Sequence, residues 1–447
     1  MSAVVDFPVK PEARPYLDAA SIAAAGDHAG EPDWLAQQRR RALARFAEQG
    51  FPSRRGEAWR YLDLHALEQS PLLPARTGHS QQPAAACARL LAGIGLAPSA
   101  SRLVLVDGCI SPLLSARGGL PAGAWLSSTA AAVDVRPELV GAALEALSQN
   151  ADQPFAALNA ALFSDGFVLE VAPGVVMEQP IEIIHLASGD ASASMHTRSL
   201  VTLGAESRAQ LVEIFAGDGR YWRNDVVAVR LAAGAALDRV ALVEEGADAL
   251  HLVALDAELG AAARLTSFEL LLGGGTVRHE TVVRSAGEGA YCGLHGGFVA
   301  SGRQQANIVT NVDHLAERGE TREIFKGVAA GRAHGAFQGR ITVRPGAQKV
   351  DAHMLSRNLL LGTRAAIDTK PELEIFADDV KCSHGAAVGD LDESALFYLL
   401  ARGIPREDAR HMLIEAFIRE AVEIVEPAAL REHLLNRLSR RLAALED

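Results

Sequence analysis

Cys382 and His384 stand two residues apart in "DDVKCSHGAAVG" (378–389), directly behind an apolar-alternating run. In extended backbone, side chains alternate. The two therefore point to one face, with Lys381 and Ser383 on the other and the Cα atoms of the pair about 6.5–7 Å apart. A thiolate and an imidazole on one face suit two ligands of iron, zinc or an iron–sulfur cluster. The same spacing suits a Cys–His nucleophile less well, since that needs hydrogen-bond contact at about 3 Å. A structural cysteine and histidine at the end of a strand account for the pattern too. Two ligands do not close a four-coordinate site. Only Asp378 and Asp379 lie near in sequence, so further ligands have to come from elsewhere in the fold or from a second chain.

The totals narrow the classes. The chain has 447 residues, 49% apolar and 22% charged, enough for one large core or two to three ordinary domains. Its 43 basic and 55 acidic residues give a net charge of −12, which speaks against general nucleic-acid binding. Cys87, Cys109, Cys292 and Cys382 are scattered with no CxxC pair, so neither a zinc ribbon nor a ferredoxin-type loop is encoded. So few cysteines fit a reducing compartment better than a disulfide scaffold. The N-terminus has no basic stretch followed by an apolar one, and no apolar run reaches about 18 residues. A cytoplasmic protein without a membrane span is the expectation. No GxxxxGK[ST] motif occurs, and the glycine run 273–275 reads as a tight turn between strands.

The elements that have to position the pair fall into three regions. Residues 1–165 read as mainly helical, with helix over 31–70 and 137–164, a loop over 70–85, and a short strand in "SRLVLVDG" (101–108). From 166 to 388, short apolar-alternating strands separated by Gly, Asp, Asn or Pro recur for more than 200 residues. That recurrence predicts a solenoid with one coil per roughly twenty residues, a parallel β-helix. Residues 389–447 return to helix. Asp390 and Glu393 have capping-box spacing, Gly403 suits a C′ position, and Pro405 suits the first turn of the next helix. Helices at both ends are expected to cover the solenoid's open strand edges. His295, His314, His334 and His353 recur every 19 or 20 residues, so a twenty-residue coil would set them near one edge; chance spacing is the alternative.

The stretch "KPELEIFADDVKCSHGAAVGDLDESALFYLLARGI" (370–404) closely resembles the SufB/SufD family of the SUF iron–sulfur cluster assembly system, and within it the SufD type. "FQGRITVRPGAQKVDAHMLSRNLLLG" (337–362) is similar to the family's preceding coils. "GEAWRYLDL" (56–64) resembles its N-terminal segment, with Leu62 where threonine is usual. Ala365 stands where SufB-like chains carry a cluster cysteine, and "SHGAA" replaces their His–Glu–Ala; both differences favour the SufD type. The resemblance implies a right-handed parallel β-helix core between N- and C-terminal helical segments, and a scaffold subunit with no turnover of its own. It implies partners: the paralogue SufB and the ATPase SufC. It places His384, with Cys382 beside it, at a SufB–SufD interface where iron or a nascent cluster is held transiently between chains. It also implies SufC docking on the C-terminal helices. Phe397, Tyr398, Leu400 and Arg402 of "ALFYLLARGI" are the expected surface, with ordinary helix packing of the apolar three as the other reading. A flavin in the assembled complex and a homodimer of the lone chain are compatible with the same resemblance. The competing class is a polysaccharide-active enzyme built on a β-helix, which calls for clustered carboxylates that the core strands do not show.

Overall fold

The computed structural model describes residues 10–26, 28, 30–74, 85–96, 99–147, 153–189 and 192–445. Most of the loop expected over 70–85 lies outside the described residues. Two long sheets face each other. One stacks Ser101–Val106, Ile181–Ala187, Arg208–Gly217, Ala236–Glu245, Arg264–Leu271, Tyr291–Ala300, Glu320–Ala330, Asp351–Leu361 and Lys381–Gly389 in parallel. The other stacks Phe167–Val171, Ser194–Leu203, Trp222–Leu231, Leu250–Leu259, Thr276–Ser285, Gln305–His314, His334–Val343 and Ala366–Ile375. The chain alternates between the sheets, so the architecture is a parallel β-solenoid with helical segments at both termini.

The repeat is longer than the sequence suggested. Strands start at 208, 222, 236, 250 and 264, and two strands make one coil. Register partners on successive coils, such as Arg223 and His251, or His334 and Ala366, are 28 and 32 residues apart (251 − 223; 366 − 334). A twenty-residue spacing therefore drifts between the sheets. His295 and His353 fall on one sheet, His314 and His334 on the other, and the expected histidine ladder does not exist.

Inward residues of both sheets, including Leu211, Leu237, Leu265, Val229, Leu255 and Ile341, form one continuous apolar core. Outward residues of the first sheet, among them Phe268, Leu270 and Val328, are covered by the helices Arg406–Val422 and Ala428–Ala443. The second sheet is covered at its start by N-terminal helices. There Trp222 meets Tyr16 and Phe155 edge-on, at 5.5 and 5.1 Å between ring centroids.

Several boundaries shift for local reasons. The helix expected over 31–70 runs only from Asp33 to Gln49, because Gly50 turns to a φ of +63° and Pro52 lacks an amide hydrogen. Beyond it, Glu57–Trp59 forms one 3₁₀ turn and His65–Gln69 a short helix. The C-terminal helix Glu393–Ala401 is capped by Asp392, whose carboxylate accepts from the Ser394 and Ala395 amides; Asp390 bonds Leu391 instead. Gly403 follows its end at a φ of +82°, as the C′ reading expected. Pro405 is the N-cap of the next helix, one residue outside the first turn.

The two ends of the solenoid differ. At the first end, Ala124–Ser128 and Cys109–Ile110 pair antiparallel with the outermost strands. At the other end the C-terminal helices do not cover the last coil. They fold back onto strands Tyr291–Ala300 and Glu320–Ala330, and the last two strands stay half-buried or exposed along their length. The expectation that helices close both ends fails here, because the outer face of the first sheet offers a larger apolar surface than a strand edge does.

Candidate functional site

Among the described residues the last strand, Lys381–Gly389, pairs with Asp351–Leu361 alone, in the register Ala352 to Cys382 and Met354 to His384. Ala352 and Met354 belong to the interior core, so Cys382 and His384 point toward the solenoid lumen at its open end. Alternation places them on one face, as their spacing required. Cys382 is half-buried against the core, while His384 is exposed. Burial raises the Cys382 thiol above its ordinary range; a hydrogen bond with the Ala352 backbone offsets part of this and Asp351 adds to it. The free thiol is therefore protonated at neutral pH, and a bound cation would have to displace its proton. Among the described residues no three His, Cys, Asp or Glu side chains gather around a common metal position.

The C-terminal helix Glu393–Ala401 presents Phe397 and Tyr398 to solvent, 72% and 57% exposed, so these two do not pack into a core. Arg402 lies over the Tyr398 ring at 5.0 Å and donates to its hydroxyl at 2.9 Å. Leu400 is half-buried, and Leu396 is the residue that fixes this helix to the fold.

A second inward cluster was not anticipated. In the middle coils Arg239 Nε meets Glu213 Oε2 at 2.5 Å, and Arg223 Nε meets Glu245 Oε1 at 2.8 Å. His251 bridges Glu245 at 3.1 Å and Asp225 at 3.3 Å, and His279 Nδ1 meets Glu269 at 2.9 Å. His185 stacks on Phe215, whose ring also contacts His251. Arg223, Glu213 and His251 are fully buried. Burial alone would raise the Glu245 carboxyl, but His251 and Arg223 outweigh it and hold it at about 2. The same opposition, with His251 and Arg223 prevailing over burial, brings Asp225 to about 2. Burial lowers and these carboxylates raise His251, with a net upward shift. The opposite charges pair inside the lumen, although several of their buried atoms, among them Arg223 Nη1 and Nη2, Arg239 Nη2 and both ring nitrogens of His251, make no hydrogen bond. The available signal was a charged residue or histidine at an inward position of an otherwise apolar strand, as Arg239 and Glu245 in "RVALVEEG" and His251 in "HLVALDAELG"; assigning inward positions needed the correct coil length.

With the geometry in place, comparison with known proteins is decisive. The family described as "SUF system FeS cluster assembly, SufBD core domain" matches residues 185–417, and "SufBD protein N-terminal region" matches 27–183. The chain belongs to the SufBD family. It is 30% identical over 412 residues to the iron–sulfur cluster assembly protein SufD of Escherichia coli, covering 91% of this chain and 92% of that one. It is 28% identical over 427 residues to a SufBD family protein of Synechocystis, covering 92% of each. A chloroplastic protein of Arabidopsis thaliana, ABCI7, is 29% identical over 397 residues, 86% of this chain and 82% of that one. The SufBD core match spans the open coil and the pair on it. The chain is an iron–sulfur cluster assembly protein of this family.

Proposed function

We propose that this chain is a non-catalytic scaffold subunit that pairs through its open last coil with a SufB-type paralogue. His384 and Cys382 contribute half of a site for iron or a nascent cluster, which is the cargo. The observation that carries this reading is the placement of Cys382 and His384 on one face of a last strand with a free outer edge, where no three His, Cys, Asp or Glu gather among the described residues. An unpaired edge is a template for a second chain, and the missing ligands can arrive with it. The ATPase of the system is then a separate SufC-type subunit. The exposed Phe397 and Tyr398, with Leu400 and Arg402, form its docking patch, since aromatic and arginine side chains are the usual anchors of interfaces.

The test is coexpression with SufB- and SufC-type partners and anaerobic reconstitution, comparing native chain with His384→Ala after both complexes are shown to assemble. Bound iron, sulfide and visible cluster absorption are measured together. Loss of the cluster from an intact complex is expected. An unchanged cluster would make the chain an architectural subunit with its metal chemistry elsewhere.

A further inference from the structure

Ser383 lies between the two candidate ligands and points the other way, onto the outer face of the last strand. It stands directly opposite His353 on the neighbouring strand. The Ser383 hydroxyl and His353 Nδ1 are 2.5 Å apart, and His353 Nε2 is 2.9 Å from Asp351 Oδ1. Asp351 also takes Arg322 Nη1 at 2.9 Å, and the same guanidinium nitrogen donates to the Asp351 carbonyl at 2.8 Å. Arg322 Nη2 is in turn held by Glu320 at 3.0 Å. Arg322 and His353 are register partners as well, so one polar rail crosses the last three strands of the sheet. The Asp351 Oδ1 contacts with His353 and Arg322 are ion-pair distances without hydrogen-bond geometry, so the side-chain hydrogen bond of the rail is the one between the Ser383 hydroxyl and His353 Nδ1.

Aspartate, histidine and serine also make hydrolytic triads, but there Nε2 faces the serine and Nδ1 the aspartate. Here the ring is reversed and the hydroxyl sits on an exposed strand face. The arrangement holds a strand; it does not prepare a nucleophile.

The last strand needs holding. It has one strand neighbour, and it contains Gly385 and Gly389, which add backbone freedom and no packing. Fixing the Ser383 side chain fixes the rotation of the strand about its axis, and so the direction of the residue on either side. We propose that Asp351, His353 and Ser383 form a positioning rail that sets the orientation of Cys382 and His384. The proposal rests on the reading of those two residues as iron or cluster ligands.

Two measurements on Ser383→Ala, His353→Ala and Ser383→Thr separate the rail from that reading. In the assembled complex with its partners, iron affinity is expected to fall about 10- to 100-fold in the alanine variants, the usual effect of losing a partner that orients a ligand. Ser383→Thr keeps the hydroxyl and should restore it. In the chain alone, without metal, amide hydrogen exchange over residues 382–387 should quicken about tenfold in the alanine variants and stay native in the threonine one. Native exchange in Ser383→Ala overturns the rail, as does native iron affinity in that variant where His384→Ala abolishes binding. If His384→Ala leaves iron binding intact, the ligand reading has failed. Exchange then decides the rail by itself: faster exchange sustains it as the device that orients the pair, and unchanged exchange overturns it.

Discussion

The lumen of this solenoid carries polar inward side chains in two places, and they live in opposite conditions. In the middle coils, Arg223, Glu213, Arg239, Glu245 and His251 are sealed between two sheets and paired with one another. On the last coil, Cys382 and His384 also face the lumen but look out of an open end. Inward direction is shared; access is not. A charge sealed in the lumen must find its counter-charge within the chain, whereas a ligand at the open end can leave its partners to another molecule. The sealed group bears on stability, and under the proposed function the open group bears on assembly.

Breaking the sealed group should have the largest effect on folding. Glu245→Ala leaves Arg223 and His251 buried without their shared carboxylate, and removing one partner of a buried pair costs about 3–5 kcal/mol. Urea denaturation should show that loss. A change below about 1 kcal/mol would mean that water reaches the network and that the lumen is not sealed.

How much of this was legible in the sequence depends on what each feature requires. Alternation along single strands is local, and it placed Cys382 and His384 on one face and Ser383 on the other. The solenoid class and the terminal helices were legible for the same reason. Coil length is not local: it depends on ten-residue strands closing through turns of varying size, and a spacing of 19 or 20 histidine to histidine imitated it. Without the true register, inward charges in the middle coils could not be told from outward ones. Nor could the pattern show that the C-terminal helices bury their apolar stripe on the sheet face near Val328, leaving the last coil bare. For Cys382 and His384 physical reasoning left three readings open, and the resemblance in 370–404 is what favours the metal-ligand one.

The pH dependence of stability should sharpen the contrast. Asp225 and Glu245 titrate at about 2 when folded and near 4 when unfolded. Their contribution is complete above about pH 4 and is lost as the pH falls toward 2. His251 is shifted upward, so its contribution is complete below about pH 6.5 and fades as the pH rises through its folded value. Glu323, buried two coils from the open end, accepts from the Thr310 hydroxyl at 2.7 Å, but burial outweighs that bond and raises its carboxyl to about 8. It is protonated in the fold at neutral pH, and it subtracts stability between about pH 4.5 and 8. Glu323→Gln should therefore be more stable than the native chain by about 1–3 kcal/mol at pH 8, with the advantage gone at pH 4. Thermal or urea melts across that range check it, and equal stability at both pH values would show that Glu323 is hydrated.

The open coil should answer in the other currency. Val388 lies near the end of the last strand and is 39% exposed, so Val388→Lys ought to change folding stability by no more than about 0.5 kcal/mol. A lysine on an edge strand is nonetheless an established barrier to strand pairing, since its charge must be desolvated for a second chain to approach. Under the proposed function, coexpressed Val388→Lys should fail to co-elute with its SufB-type partner on size exclusion, while its melting curve overlays that of the native chain. A complex that forms normally would move the interface away from the last coil, and would leave Cys382 and His384 without the second chain their incomplete ligand set requires.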